Sequence, residues 1–501
     1  MEPGRLAGPI SRHFSGNANW HASLNVHKTS SDLVIESPLD GLTSTLPAPF
    51  AKNPGTPLPL RFELKTSSAG EDHATFTLGK RISARFSGET GKGSMSLHSG
   101  IVYLNEGFPN EIPDLPGIWV VGSMEEFDAD QWRDLFDEMG GGSNPSPISL
   151  SGIDVDIGDF AFLGRKFGKL SISARQSGGE WDANLSGNEI GGSVRWIPEG
   201  RGRIIGKFVN LGIPESPPGE TPESKVAIAK VASRNLPALD ITADSFVFNR
   251  KEVGKLELVA TQQGNDWKID RLKIVNPDSV LTADGLWQGW AIHPSTRVNV
   301  RLDVHKIGKF LARFGYPDNI MRGKGSMEGW LSWAGSPQSI NYASLDGKIA
   351  LSASHGQFNK IDPGIGKLLG ILSLQELPRR ITLDFRDIFS QGLAFDNISS
   401  NFEISKGIAS TKNLRIQSPA AEVDMTGKID LDHETQDLDI LVKPQLGGSV
   451  SVASSLLGGP VVGIVTWVVG KALQDPLDQL ASYEYNVTGS WSDPVVKKGH
   501  E

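Results

Sequence analysis

Val298-Asn299-Val300-Arg301-Leu302-Asp303-Val304 places an apolar side chain at every second position and a polar one between. Successive side chains of a β-strand point to opposite faces, so this stretch reads as a strand with one dry and one wet face. The same period recurs in both directions from it. Toward the N-terminus, Leu170, Ile172 and Ala174 alternate with Ser171, Ser173 and Arg175, and Leu256, Leu258 and Ala260 alternate with Glu257, Val259 and Thr261. Toward the C-terminus it returns at Phe402 and Ile404, at Leu414 and Ile416, and at Leu438, Ile440 and Val442. Turn formers separate the runs, as in Gly178-Gly179-Glu180, Gly264-Asn265-Asp266 and Asn276-Pro277-Asp278.

The strands repeat as a unit. At an offset of 86, Asp154–Trp181 and Asp240–Trp267 are identical at 10 of 28 positions, including Phe160/Phe246, Gly168/Gly254, Leu170/Leu256 and Trp181/Trp267. The stretch GNANWHASL, Gly16–Leu24, repeats the turn-then-Trp end of that unit. Trp20, Trp181 and Trp267 are therefore each expected to pack at a strand start. A β meander too small to close its own core is stabilised by stacking on the next, which gives a quasi-linear array. The expected fold class is mainly β, an elongated, repeat-built antiparallel sheet with short amphipathic helices. One helix is expected over Asp128–Met139, with Trp132, Leu135, Phe136 and Met139 on a single face. A second carries Ile307, Phe310, Leu311 and Phe314, and a third spans Gly364–Leu377 until Pro378 stops it. Polar, turn-rich stretches at Gly140–Pro147 and Glu215–Glu223 read as linkers. The expected blocks are 1–139, 150–212 and 226–322, then 323–445 as a C-terminal sheet and 446–501 as an apolar helical segment with a final strand.

Composition narrows the function. The 501 residues include 49 basic and 58 acidic ones, a net charge of −9, which argues against a nucleic-acid grip built on clustered cations. With no cysteine at all, disulfides, thiolate metal sites and thiol catalysis are excluded. Mean hydropathy of −0.21 is too polar for a multi-span membrane protein. H-E-x-x-H, G-x-S-x-G, P-loop and G-x-G-x-x-G spacings are absent. Gly323, Gly325 and Gly329 come nearest to a phosphate loop, but at the wrong spacing and running into a strand at Trp330. Asp154 and Asp156 fall on the wet face of their strand, and the ten histidines have no ligand spacing. No catalytic residue, metal or cofactor is expected.

One segment departs from the pattern. Leu446–Gly470 runs 25 residues without a charge, broken by Gly458-Gly459-Pro460. As a helix, Pro460–Leu473 would be ~21 Å long against ~30 Å of hydrocarbon, too short to span a bilayer. Val461, Val462, Ile464, Val465, Trp467, Val468 and Val469 surround it on every side, so it is expected to contact a membrane or to cap the sheet. What the strands do with their apolar side is open at this point. Two sheets face to face would make a closed sandwich, whereas one curved sheet would leave an apolar groove.

The last third resembles the YhdP family of AsmA-like bacterial envelope proteins. The resemblance rests on PGIGKLLGILSLQELPRRITLDFRDIFSQGLAFDNI (Pro363–Ile398), NLRIQSPAAEVDMTGKIDLDHETQDLDILVKPQLG (Asn413–Gly447) and DPLDQLASYEYNVTGSW (Asp475–Trp491). Leu236–Ile241 and the GDWK-like turns, as in Gly264-Asn265-Asp266-Trp267-Lys268, extend it more weakly to about Gly16. It implies a curved β-groove with an apolar floor, which carries phospholipids through the periplasm between the inner and outer membranes. Full-length members of the family have an inner-membrane anchor helix; these residues contain none and read as a C-terminal portion. On this reading Leu170, Ile172, Leu256, Leu258, Val298, Val300, Leu302, Leu438 and Ile440 line the groove. The partners are acyl chains and the outer-membrane bilayer. The alternative is a scaffold for outer-membrane protein assembly, as in the AsmA-like protein TamB.

Overall fold

In the computed structural model, residues 9–28, 30–67, 72–91, 94–105, 107, 116–139, 150–162, 164–215, 236–264, 266–289, 293–317, 319–337, 340–358, 393–419, 421–444 and 482–498 are described. The segments Gly364–Leu377 and Leu446–Gly470 lie outside them. The chain divides into two compact units, Met1–Gly219 and Glu220–Glu501.

Unit 1 holds β1 (Phe14–Gly16), β2 (His21–Val26), β3 (Ser30–Ser37), β4 (Leu42–Ser44), β5 (Leu60–Ser67), β6 (Asp72–Leu78), β7 (Ile82–Gly91), β8 (Ser94–Leu104), β9 (Gly117–Asp128), α1 (Ala129–Glu138), β10 (Leu150–Phe162), β11 (Arg165–Ser177), β12 (Glu180–Gly187), β13 (Ile190–Ile197) and β14 (Arg203–Ile213). Apart from the small β1–β4 pair, each strand from β2 to β14 bonds to the next in sequence. Ten residues or fewer connect most neighbours, so antiparallel pairing is the rule. β9 is the exception, because it runs parallel to both β8 and β10. A parallel pair needs a crossover, and α1 lies in the one from β9 to β10. Alternation is the same in parallel and antiparallel strands, which is why the sequence did not reveal this.

Asp128 starts α1 by accepting from the backbone N–H groups of Asp130 and Gln131 at 3.0 and 3.1 Å. The helix does not bury the expected face. Leu135 is buried and the Trp132 indole donates to the Ala48 carbonyl at 3.1 Å, but Phe136 and Met139 are exposed.

Unit 2 holds β15 (Ala238–Phe248), β16 (Lys251–Gln263), β17 (Asp266–Asn276), β18 (Ser279–Gln288), β19 (Ser295–Val304), α2 (Ile307–Arg313), β20 (Ile320–Ala334), β21 (Asp346–Phe358), β22 (Ala394–Ser405), β23 (Ile408–Gln417), β24 (Ala421–Asp430), β25 (Thr435–Pro444), β26 (Tyr483–Ser490) and β27 (Pro494–Lys498). Among the described residues the ladders from β15 to β27 are all antiparallel. The chain is thus mainly β, with long, largely antiparallel sheets.

The 86-residue repeat is a repeat of register. Asp154 pairs with Ser173 and Asp240 with Val259; Phe160 pairs with Gly168 and Phe246 with Gly254. Each pair of strands has its bulge at the same place, between Ile157 and Phe160 and between Ala243 and Phe246. The bulge re-aims each Phe toward the interior. Phe246 is buried, and Phe160 stacks on Phe127 with ring centroids 6.4 Å apart. The Trp expectation holds in part. Trp267 donates to the Pro237 carbonyl at 3.0 Å and meets Trp287 edge-on, and Trp181 pairs across strands with Trp196. Trp20, by contrast, is 69% exposed, because all six residues of the following strand, β2, are exposed and offer it no surface.

Candidate functional site

Register decides whether alternation in separate strands adds up to one surface. In unit 2 the directly paired residues run Leu258, Leu272, Ala283, Val300, Gly329, Ile349, Phe402, Thr411, Gly427, Leu438, Val487, Val496, one from each strand β16 to β27. Paired residues share a face, so the file is continuous across twelve strands. Its one polar side chain, Thr411, is buried and shares a hydrogen bond with Ser400 at 2.9 Å. A second file, Leu256, Ile274, Leu281, Leu302, Met327, Leu351, lies beside it. Val298 pairs with Leu331, and Ile440 with Met425. Leu256, Leu258, Val298, Val300, Leu302, Leu438 and Ile440 therefore fall on one face of the unit 2 sheet.

Unit 1 repeats the arrangement. The file there is Ala22, Ile35, Phe62, Phe76, Ala84, Val102, Val120, Ile153, Ala174, Ala183, Val194, Gly206, again through twelve strands. Leu170 and Ile172 belong to this face, paired with Ile157 and Val155.

The faces are not equally covered along their length. Leu170, Leu256, Leu438 and Ile440 are buried, as are Phe402, Met425 and Val487 around the latter two. Ile172, Leu258, Val298, Val300 and Leu302 are only half-buried. The dry face of unit 2 is thus a closed core over β22–β26 and half-open over β16–β20. α2 accounts for part of the cover, laying Ile307, Phe310 and Leu311 on this face. It approaches closely because β20 carries glycine there: a Cβ on Gly323 or Gly325 would stand 3.2 or 3.3 Å from the Ile307 Cδ1. The glycines that looked like a broken phosphate loop are therefore helix seats, and Gly329 faces the Lys348 carbonyl.

The opposite face is wet and carries cross-strand ion pairs. Arg301 meets Glu328 at 3.1 Å, Lys348 meets Glu403 at 2.9 Å, and Asp424 accepts from both Arg415 and Lys443, at 2.8 and 2.9 Å. The Lys443 hydrogen bond, then that of Arg415, holds the Asp424 carboxyl below the usual range despite some desolvation. Exposed pairs of this kind add little stability; they fix which face is wet. Asp154 and Asp156 are exposed on the wet face of unit 1. Among the described residues no group of three or more His, Asp or Glu is placed to hold a metal, and no helix is long and apolar enough to cross a membrane.

No solved structure matches the chain significantly. It is 22% identical over 525 aligned positions to the intermembrane phospholipid transporter YhdP of Escherichia coli (strain K12), a match that covers 99% of this chain and 40% of that protein. The chain thus spans less than half the length of that relative. The profile of the YhdP protein family matches residues 3–496, and across nearly all of its length the chain belongs to that family.

Proposed function

We propose that the chain is part of a conduit that moves phospholipids through the periplasm between inner and outer membranes, with acyl chains lying along the dry faces and no covalent chemistry. The observation that carries this reading is the continuous dry face, whose file of paired residues runs through twelve strands in each unit with Thr411 as the one polar side chain in unit 2, and which is half-open in unit 2 at Leu258, Val298, Val300 and Leu302. Each methylene kept from water is worth ~0.8 kcal/mol, so two chains with about 30 carbons need roughly 25 kcal/mol of apolar cover. A continuous face supplies this at every step, whereas separate pockets would expose the chains between stops. The name of the Escherichia coli relative points the same way.

The test is mass spectrometry of the protein purified without detergent from a Gram-negative host. Phospholipid at one or more molecules per chain is expected, and a lipid-free protein would overturn the reading. The alternative, a scaffold for outer-membrane proteins, has one observation in its favour: β2 is exposed at all six residues and displays Leu24 and Val26. Cross-linking from β2 to nascent barrel strands, with no lipid bound, would favour it.

The reading extends to Leu446–Gly470, which we infer touches a bilayer without crossing it through Val461, Val462, Ile464, Val465, Trp467, Val468 and Val469. Its lack of charge and its Gly-Gly-Pro break support this. Deleting Ser449–Lys471 is expected to abolish flotation with liposomes while the β signal in circular dichroism persists. Undiminished flotation would place the membrane contact elsewhere.

A further inference from the structure

We propose that a basic cleft between the start of α2 and the ends of β20 and β21 binds a phosphate ester. Its lipid form, a phospholipid headgroup beside the dry face, rests on the acyl-chain reading above. The cleft has a volume of about 540 Å³ and is lined by His305, Lys306, Lys309, Arg322, Lys324 and His355 with two glycines. Among the described residues no carboxylate lines it, in a chain whose net charge is −9. Elsewhere on this unit Arg301, Lys348, Arg415 and Lys443 are each neutralised by a carboxylate across strands. Among the described residues, Lys306, Lys309, Arg322 and Lys324 form no ion pair. Asp278, whose carbonyl accepts from the His305 N–H at 2.7 Å, turns its carboxylate instead to Arg313 at 2.9 Å. Four permanent cations gathered in one concavity repel one another, and an anion from outside relieves that repulsion.

The backbone is shaped for the cleft as well. Arg322, Gly323 and His355 have φ of +64°, +78° and +53°, a left-handed conformation that Arg and His rarely adopt. Here the alternation of both strands reverses. Before Arg322 the buried residue is Ile320, while beyond Gly323 the inward set is Gly325, Met327 and Gly329; on β21 it passes from Ile349 and Leu351 to Gly356 and Phe358. Register is kept throughout, with Ile320 opposite Phe358 and Lys324 opposite Ser354. The paired reversal keeps the dry face dry and brings Arg322 and His355 into one cleft with the α2 lysines.

A guanidinium fork with several ammonium groups suits a tetrahedral phosphate. A nucleic acid would need a basic track rather than one concavity. Gly323 belongs both to the cleft and to the seat of Ile307, so the cleft adjoins the dry face that α2 covers.

The experiment uses the full chain and three ligands: sn-glycerol 3-phosphate by calorimetry, and fluorescent phosphatidylglycerol and diacylglycerol by anisotropy. Wild type is expected to bind glycerol phosphate and to prefer phosphatidylglycerol to diacylglycerol. Lys306→Gln/Lys309→Gln/Lys324→Gln is expected to weaken both phosphate ligands about tenfold or more, since each loses charge-assisted contacts, and to leave diacylglycerol unchanged. Lys412→Gln/Lys428→Gln, outside the cleft, serves as the charge control and is expected to behave as wild type. Equal phosphate binding by the triple variant and wild type, or equal loss in the control, overturns the site. Weakening of glycerol phosphate alone keeps the site but makes a free phosphate ester its ligand. Loss of diacylglycerol binding by wild type, with glycerol phosphate still bound, overturns the acyl-chain reading and not the cleft.

Discussion

Val300→Asp combined with Leu302→Asp is expected to lower the lipid bound per protein at least tenfold while the protein stays folded. Both residues are half-buried, and their partners on the dry face are Ala283 and Gly329 for Val300 and Leu281 and Met327 for Leu302. Ala283 and Gly329 leave room for water around a carboxylate at position 300, and position 302, half-buried between the larger Leu281 and Met327, keeps its solvent-facing side, so the sheet survives in the lipid-free protein. An acyl chain laid over the same two positions strips that water and leaves two charges against hydrocarbon, at a cost of several kcal/mol. A loss of only about 1.4 kcal/mol is already a factor of ten in affinity. Thr282→Asp is the control, because Thr282 pairs with Arg301 on the wet face and an added carboxylate there meets a cation. Lipid content by mass spectrometry and secondary structure by circular dichroism check both variants. Undiminished lipid in a folded double variant would make this face a core and nothing more.

The fold was legible in the sequence wherever side chains alone carry the signal. Val298–Val304 declared both a strand and its dry face, and the 86-residue offset marked a repeated β unit, which the structure extends to a shared register and a bulge at the same place. Three features were not legible, for three reasons. The parallel pairing of β9 was hidden because alternation carries no strand direction. Trp20 matched the repeat motif but lacks the neighbouring surface that Trp267 finds in Trp287, because packing depends on the partner strand and not on the motif. The basic cleft draws on α2, β20 and β21, residues 305 to 355, whose scattered Lys, Arg and His have no linear spacing. Its one local signal was the Gly323/Gly325 pair, which marks the close approach of α2. The alternation that located the dry face equally could not say how far it stands open, since Leu438 and Val300 share a file and differ only in what lies above them.

Phe395→Ala is expected to destabilise the protein by about 3–5 kcal/mol, the range for removing a fully buried aromatic ring. Phe395 is 1% exposed, and its ring centroid lies 5.1 Å from that of Phe358. Its cross-strand partner is Gly356, where an added Cβ would stand 2.2 Å from the Phe395 ring. The ring therefore lies over a bare backbone, and its removal leaves a void that Gly356 has no side chain to fill. The cost should sit at the high end for that reason. The loss matters beyond packing, since Gly356 directly follows His355, where β21 reverses its alternation, and the ring holds that reversal in place from the dry side. Urea unfolding followed by circular dichroism measures the effect, with Trp20→Ala as the reference: a side chain 69% exposed should change stability by about 0.5 kcal/mol or less. Comparable midpoints for the two variants would mean that the reversal in β20–β22 is held by the ladders alone. A large loss for Phe395→Ala, accompanied by weaker glycerol phosphate binding before unfolding begins, would instead tie the dry face to the cleft through this one ring.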